Sequence, residues 1–423
     1  MWCGANSMLQ LVLARGLQGV GGGMLVGSAF ASVIDLFPET LERVRWQVML
    51  SASFGIASAV GPILGGWMTE HLGWRSVFYV NLPVGLIALP MVWYYLPHIV
   101  HSKKDIGKTI DWLGVLLLTL TIGMLLAATE LSGYLGFISI TFWSLVALSI
   151  IFAGLFLRHQ HHTNAPIIPP ILFADSTVRR LGLLATLTGL IMFVLLFYAP
   201  LLLQGGFSLS PKEAGILVTP ILVGITVGSI VNGRLIPRVK WPERLFSRGI
   251  LLLTVSMGML CGVSVATPHE LLLLIFSLCG LSLGFQLPNL TLQMQSAVKK
   301  EDQGAASALI QTLRTLGSMF GASLAGLMVS LGFNHGAVLA LTNRGIHDPQ
   351  VWKLFENPQL LVRGADQAML INLGLRQGFD GVNLLEQARA GLVSGVHQAF
   401  LGCLLLALIS YFISRRLPPF LKG

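Results

Sequence analysis

The chain has 423 residues, of which 54% are hydrophobic and only 11% are charged. Soluble domains carry about 25% charged residues, so this composition excludes an ordinary soluble fold. The formal net charge of +9 follows from loops between apolar runs and does not form the continuous basic surface of a nucleic-acid-binding protein. The cysteines have neither CxxC pairs nor metal-ligand spacing, and we interpret them as small core residues: Cys3, Cys261, Cys279 and Cys403.

Apolar runs of nearly 20 residues recur along the whole chain. Each is long enough to cross about 30 Å of hydrocarbon. The sequence therefore predicts an all-α polytopic membrane protein with about 11 transmembrane helices. The predicted spans are 8–34, 48–68, 77–96, 110–128, 138–156, 181–203, 214–236, 249–266, 271–290, 305–331 and 392–414.

Lysine and arginine are distributed unequally between the two sides. Loops on one side hold 18 of the 27 basic residues, and loops on the other side hold seven. Because cytoplasmic loops are enriched in lysine and arginine, we expect the N-terminus outside and the C-terminus inside. The start, MWCGANSMLQ, has no basic segment or cleavage site of a signal peptide. An outside N-terminus without a signal peptide is expected where an odd number of helices precedes the sequence.

The chain contains a weak internal repeat. QGVGGGMLVGSA, from Gln18, is echoed by CGLSLGFQLPNL, from Cys279, and Gly61 corresponds to Gly321 at an offset of 260 residues. Parallel repeats occur in several transporter folds. We expect three parts: 1–97 with three spans of an N-terminal half, 98–178 with two inserted spans and a cytoplasmic linker, and 179–423 with a six-helix C-terminal half and a long external loop at 333–390.

Arg15 lies inside the first predicted span. A charged side chain costs from ~3 to over 10 kcal/mol at the bilayer centre, which makes a membrane arginine a functional candidate. Gln18 follows at i+3, and Gly19, Gly23 and Gly27 follow at successive i+4 steps. This spacing predicts that Arg15 shares a face that packs against neighbouring helices. The alternative is an arginine whose side chain reaches the outer interface.

GPILGG, residues 61–66, predicts a kinked helix with a face of small residues. Pro62 removes a backbone donor, and Ala57, Gly61 and Gly65 lie four residues apart. Small residues at this spacing allow close approach of a second helix. The alternative is a packing helix without any further role.

Later spans contain polar and aromatic candidates for a central cavity. The aromatic stripe could hold flat lipophilic molecules or could serve ordinary packing. The amides could line the cavity or satisfy each other, and the arginine could join two helices or serve substrate binding or gating. These candidates are Phe193, Phe197, Tyr198, Gln286, Asn289, Gln311 and Arg314. HQHH at 159–162 lacks further ligands, so we predict no metal site, and the chain has no HExxH or Walker motif.

RGLQGVGGG, GPILGG and LGWRSVFYVNLPVG together resemble helices four to six of the major facilitator superfamily. The two inserted spans, GRLIPR at 233–238 and the segment LPNLTLQMQSAVKKEDQGAASALIQTLRTLGSMFG resemble more narrowly its fourteen-helix drug:proton antiporter family. The resemblance covers nearly the whole chain, and least well the loop 333–390.

This resemblance implies roles for three groups of residues. Arg15, with Gln18, would take part in proton handling. The export motif and its helix packing would involve Gly55, Gly61, Pro62, Gly65 and Gly66. The loop that latches the inward gate would include Gly233, Arg234 and Arg238.

The sequence departs from this family at its beginning. Members of the family have three more helices, with an acidic residue in the first. Here the carboxylates nearest the membrane are Asp35, Asp111 and Glu130, all at the ends of spans. We therefore expect proton coupling to require the helices that carry such an acid.

The resulting functional expectation is proton-coupled export of lipophilic or amphipathic molecules across the bacterial inner membrane. It involves no enzymatic activity, no cofactor beyond the proton gradient, no metal and no nucleic acid. The expected partners are the lipid membrane, a small lipophilic substrate and a periplasmic adaptor protein at the loop 333–390. Two alternatives stay open: a truncated remnant or split subunit that does not transport alone, and an exporter of one endogenous metabolite such as a siderophore.

Overall fold

The structure is a computed structural model. It describes residues 7–37, 39–73, 75–97, 111–135, 139–163, 166–167, 174–239, 241–299, 302–342, 344–346, 348–355 and 358–418. All regular secondary structure within these ranges is helical. Cys3, at the predicted N-terminal end, lies outside them.

The first part of the chain forms six helices in the described ranges. The Ser7 hydroxyl accepts a hydrogen bond from the Gln10 N–H and begins the first helix, as expected of an N-cap serine. The helices are α1 (Met8–Leu36), α2 (Thr40–Leu72), α3 (Ser76–Tyr79), α4 (Asn81–Tyr95), α5 (Trp112–Leu135) and α6 (Ile140–Gln160).

The second part of the chain forms the main helical bundle. The bundle helices are α7 (Ser176–Leu201), α8 (Pro211–Leu235), α9 (Pro242–Leu260), α10 (His269–Ser296), α11 (Gln303–Thr342) and α14 (Gly381–Ser414). A π-helical turn, Leu202–Gly206, continues α7, and a 3₁₀ turn, Ile236–Arg238, follows α8. Ser210 and Glu213 form a capping box at the start of α8, so its first backbone donors are satisfied.

Eight helical segments in the described ranges are long and apolar enough to cross a membrane. They coincide with eight of the predicted spans. The other three predicted spans, 48–68, 110–128 and 249–266, fall on α2, α5 and α9, which are helical over most of those lengths. The prediction of an all-helical membrane protein is confirmed, whereas the count of 11 spans and their orientation stay predictions.

Close contacts between small residues hold the main bundle together. Helix α8 packs along α10, and α11 packs against both α7 and α14. A Cβ at Gly280 would lie 2.1 Å from the Ile221 carbonyl oxygen, and one at Gly317 would lie 1.9 Å from the Thr186 carbonyl oxygen. Backbones at this distance leave no room for a side chain, so glycine is required where these helices cross.

The predicted external loop is shorter than expected. Helix α11 continues to Thr342 and α14 begins at Gly381, so the prediction of a loop over 333–390 is wrong at both ends. The outer segment, 343–380, contains α12 (Pro349–Leu354), a 3₁₀ turn (Pro358–Leu361) and α13 (Gly364–Gln377). Phe333 of α11 stacks on Phe355 with ring centroids 6.3 Å apart. This stacking continues the apolar core of the bundle into the outer segment.

Candidate transport interface

One face of α2 packs against the main bundle. Val44, Gln47, Val48 and Ser51 recur at the three- and four-residue spacing of a helix face, and all are buried. Helix α2 contacts α8 and α10 along this face. The apolar members contact Ile236, Leu245 and Leu292 of the C-terminal part. We call this contact the transport interface because it joins the two predicted halves.

Two glycines set the distance between α2 and α8. A Cβ at Gly55 would lie 2.3 Å from Thr226 Oγ1, and a Cβ at Gly233 would lie 2.4 Å from Val48 Cγ2. The pairs run in opposite directions along the two helices, which are therefore antiparallel here. The structure thus brings Gly55 of the predicted export helix and Gly233 of the predicted gating loop into one interface.

The remaining residues of the gating loop lie at the surface. Arg234 and Arg238 are exposed, and Ile236 between them is buried against α2. Only Gly233 and the apolar residues of this loop therefore contribute to the packing. The arginines are available to the membrane surface or to solvent.

Arg43 closes the transport interface at its end. Its side chain is 8% exposed. Its Nε donates to the Phe37 carbonyl at 3.1 Å, and its Nη1 donates to Gln303 Oε1 at 3.0 Å. Burial lowers the pKa of Arg43, but a guanidinium stays protonated in proteins, so the group remains a buried cation.

Amide side chains occupy the interior behind Arg43. Gln47 is 0% exposed, and within the described residues neither of its side-chain polar atoms has a hydrogen-bond partner. Asn289 of α10 donates to Asn232 Oδ1 of α8 at 3.1 Å. Buried amides without partners are costly, so the burial of Gln47 where α2 packs on the main bundle carries an energetic penalty.

Arg15 and Gln18 form a pair on the surface of α1. Arg15 Nη1 donates to Gln18 Oε1 at 3.0 Å, and both residues are exposed. No described atom lies within 4 Å of a Cβ placed at Gly19 or Gly23. The described residues do not form the predicted close packing at Gly19 and Gly23, and the packing of this face stays a prediction.

The GPILGG segment also differs from its predicted packing. Gly61 is exposed, and no described atom lies within 4 Å of a Cβ at Gly61 or Gly65. The predicted close helix contact at these two glycines is not formed by the described residues. Gly55 forms it instead, because α2 turns that face toward α8. Pro62 and Gly66 lie in α2, but their surroundings are outside the described part of the structure.

The aromatic stripe of α7 is divided by the packing. Phe193 and Phe197 stack with ring centroids 4.0 Å apart, and Phe197 is 59% exposed. Tyr198 turns away and donates its hydroxyl to the Ala322 carbonyl of α11 at 2.9 Å. The phenylalanines therefore present an accessible aromatic surface, and the tyrosine joins two helices.

The polar cavity candidates lie between helices of the main bundle. Gln286 accepts a hydrogen bond from Thr188 of α7 at 3.1 Å. Because Asn289 bonds to α8, the two amides do not satisfy each other, and that alternative is wrong. Gln311 and Arg314 are half-buried on α11, where the Arg314 backbone touches Gly189 of α7.

The histidine tract has a structural partner. His159 Nε2 lies 2.7 Å from Asp111 Oδ1, and Gln160 donates to the other oxygen of the same carboxylate at 2.7 Å. These contacts join the ends of α5 and α6. Within the described residues, no group of three or more His, Cys, Asp or Glu side chains could hold a metal ion.

Sequence reasoning missed the residues that close the interface. The sequence predicted no role at a site for Arg43, Gln47 or Gln303. A signal for this site was available. The buried positions of α2 form a stripe at helical spacing, and Arg43 and Gln303 are separated by 260 residues, the offset of the internal repeat.

The family assignment follows from comparison with known sequences. The family model described as the Major Facilitator Superfamily matches residues 1–322. The chain belongs to the Major Facilitator Superfamily. This membership makes it a multi-pass membrane protein of a transporter family and not an enzyme.

Similar proteins have names that refer to drug transport. The multidrug transporter protein MdtP of Bacillus subtilis is 29% identical over 331 residues, which are 78% of this chain and 60% of that protein. Multidrug resistance protein 3 of the same organism is 29% identical over 333 residues, 77% of this chain and 63% of that protein. The chain therefore spans less than two thirds of the length of these relatives.

A solved structure also aligns with the chain. It is a bacterial homolog of the human lysosomal transporter Spinster, in an inward-facing and unoccupied conformation. Its sequence is 15% identical, and the alignment covers 93% of this chain and 89% of that chain with a TM-score of 0.44.

Proposed function

We propose that the chain exports lipophilic or amphipathic small molecules by proton-coupled alternating access across the bacterial inner membrane. The observation that carries this proposal is the α2–α8 contact. There Gly55 faces Thr226 and Gly233 faces Val48, so two segments that resemble functional motifs of the family lie in one contact between the predicted halves. Rocking of the two halves about such an interface is how transporters of this type expose a site to each side in turn.

The names of the relatives support the substrate class. Both Bacillus proteins are named for multidrug transport or resistance. The stacked Phe193 and Phe197 on the accessible face of α7 suit flat lipophilic molecules, because aromatic rings stack favourably on one another. Export of a single endogenous metabolite is the competing proposal.

Arg15 is the proposed proton-handling residue, with Gln18 as its neighbour. In this proposal the arginine senses the protonation of a carboxylate on another helix. A charged side chain in an apolar span is costly, so such residues are rare and are usually functional. This supports a role for Arg15. We place Arg15 near the outer side and the C-terminus inside, in a fourteen-helix arrangement whose first three helices precede this sequence. The outer segment is the proposed contact for a periplasmic adaptor.

Dye efflux tests the proposed function directly. Bacteria that express the chain together with the three helices proposed to precede it should expel a lipophilic cationic dye, and a protonophore should abolish this efflux. Arg15→Ala should reduce efflux at least about tenfold, as expected for loss of a charged hydrogen bond, without changing the amount in the membrane. Arg45→Ala is the matched control, because it also removes an exposed arginine.

The outcomes separate the proposals. Normal efflux by Arg15→Ala would contradict its coupling role. Absence of efflux by the unaltered chain would favour the remnant or split subunit, and efflux of one metabolite without dyes would favour the dedicated exporter.

Reporter fusions test the proposed orientation. A reporter fused after Arg416 should be cytoplasmic and one inserted at Gly364 should be periplasmic. Both reporters on one side would contradict the proposed orientation.

A further inference from the structure

Helix α10 carries a row of polar side chains along one face. Ser282, Gln286, Asn289 and Gln293 follow one another at steps of four, three and four residues, which is the spacing of one helix face. None of the four is more than 3% exposed. We call this row the polar stripe, and it runs for about 16 Å at ~1.5 Å per residue. Burial of a polar group is costly unless the group is hydrogen-bonded, so each member needs a partner.

The deeper end of the polar stripe finds its partners inside the bundle. Gln286 donates to the Ser282 carbonyl at 3.2 Å and accepts from Thr188 of α7 at 3.1 Å. The next residue of α7, Gly189, contacts the backbone of Arg314. The polar stripe therefore reaches the crossing of α7 and α11, where the cavity candidate Arg314 lies.

The inner end of the polar stripe holds polar atoms without partners. Asn289 donates to Asn232 Oδ1 of α8 at 3.1 Å, and Gln293 lies one helical turn after Asn289. Asn232 and Asn289 are 0% exposed. Within the described residues, Asn232 Nδ2, Asn289 Oδ1 and Gln293 Nε2 are buried and have no hydrogen-bond partner. These three residues, the amide cluster, thus offer two donors and one acceptor for a further molecule.

A water molecule has the chemistry that the amide cluster requires. Water accepts two hydrogen bonds and donates two, and a buried water typically makes about three. The neighbouring segments 271–298 of α10 and 214–233 of α8 contain no charged residue. An ion would therefore lose its hydration without a counter-charge from these segments, whereas a neutral molecule would not. The donors and the acceptor thus favour water over a cation or an anion.

We propose that the amide cluster binds a water molecule and that this water is the inner end of a proton path along the polar stripe. The proton role rests on the proposed function, and the path is separate from Arg15 of α1. A proton that reaches the bound water forms a third O–H bond. The water then releases another of its protons toward the inner surface and is left unchanged. The amides of the cluster orient the water and are not themselves protonated.

A high-resolution map of the full-length protein tests the bound water directly. A peak should lie about 2.7–3.2 Å from Asn232 Nδ2 and Asn289 Oδ1. Gln293→Leu removes one of the three partners and should lower the occupancy of this peak. The matched control is Gln295→Leu, because Gln295 is also buried in α10 but donates to Ser307 of α11. Absence of the peak from a map that shows other buried waters would overturn the site.

Two transport measurements separate the proton path from a packing role. Gradient-driven dye efflux requires proton movement, whereas counterflow exchanges internal for external dye without net proton movement. Asn289→Leu and Gln293→Leu should slow gradient-driven efflux about fivefold, the effect expected for one neutral hydrogen bond. Counterflow should change by less than about twofold, which is less than that bond is worth. Gln295→Leu should change neither rate, and Gln293→Ser, which keeps a hydroxyl for water, should restore efflux.

The results distinguish the water site, the path and the proposed function. An equal loss of efflux and counterflow in the leucine variants would mean that the amides serve packing alone. Unchanged efflux in both leucine variants would exclude the path. If these variants do not fold, the map of the unaltered protein still decides whether the water is bound. A water peak in a protein without dye efflux would reject the proposed function and leave the water site standing, whereas efflux without the peak would reject the site alone.

Discussion

Both parts of the molecule contain helices that are apolar enough to cross a membrane, but the burial of these helices differs greatly. In α1 and in the α3–α4 segment, 6% of the most apolar window is buried, whereas in α7 with its π-turn and in α10 the figure is 61%. All four are apolar enough to cross a membrane. Hydropathy therefore identifies which segments enter the bilayer, but it does not distinguish a helix that packs on protein from one whose surface is open to lipid.

Glycines show the same difference at the atomic level. A Cβ at Gly224, Gly228 or Gly284 in the main bundle would lie within 3.0 Å of backbone atoms of another helix. At Gly19 and Gly23 of α1, no described atom lies within 4 Å of that position. A stripe of glycines thus allows a second helix to pack closely, but it does not show that such a helix is present.

The largest expected effect compares Gly317→Ala with Gly61→Ala. In the main bundle the new methyl group would lie 1.9 Å from the Thr186 carbonyl oxygen, and overpacking of this kind costs about 1–3 kcal/mol. At Gly61 the methyl group meets no described atom, and alanine should stabilise the helix by about 0.5–1 kcal/mol. Melting temperatures in detergent should move in opposite directions. A loss of stability at both positions would show that the GPILGG face is covered.

A smaller effect is expected where the two parts meet. Gly55→Ala brings a methyl group 2.3 Å from Thr226 Oγ1, which is a side-chain atom that can move, so the loss should stay below about 1 kcal/mol. Thr226→Ala removes that oxygen, and the double variant should recover most of the lost melting temperature. Thr219→Ala, at a half-buried position earlier on the same helix, is the control. Additive losses in the double variant would mean that the close α2–α8 contact does not form.

The smallest effect concerns the outer segment. The pKa of Asp348 lies below its ordinary value of 3.8 because its carboxylate accepts hydrogen bonds, first from the Gln377 side chain and then from the Gln350 N–H. A depressed carboxyl pKa stabilises the fold above the ordinary value, and this stability is lost as the pH falls through the lower, folded-state pKa. Amide exchange in α12, corrected for intrinsic rates, should therefore be unchanged from pH 8 to 5. It should increase below pH 3.8 in the unaltered chain, and Asp348→Asn should not show that increase. A change between pH 8 and 5 would contradict this assignment.

The fold was more predictable from sequence than the interface. Apolar length predicts a span because the bilayer demands it, and each predicted span coincides with a helix or most of one. Position along the chain does not say which face of α2 meets the bundle, so the sequence predicts close contact at Gly61 and Gly65, whereas the described contact forms at Gly55. The Arg43–Gln303 bond depends on how two helix ends are oriented, which the sequence does not specify. The sequence predicts that α11 ends near 331, because its apolar pattern ends there. The helix continues to Thr342 because its last turns pack against apolar residues of the outer segment.

Helix α11 has 40 residues without a proline, so it extends for about 60 Å, roughly twice the hydrocarbon thickness. Gln303 begins this helix, and the outer segment follows directly after its last residue, Thr342. The helix is therefore long enough to extend beyond the hydrocarbon layer on both sides of the membrane. At ~60 Å, a tilt of about 5° displaces one end by about 5 Å relative to the other, which exceeds the reach of a hydrogen bond. A rigid tilt of α11 would therefore move the outer segment and the Gln303 end of the helix together.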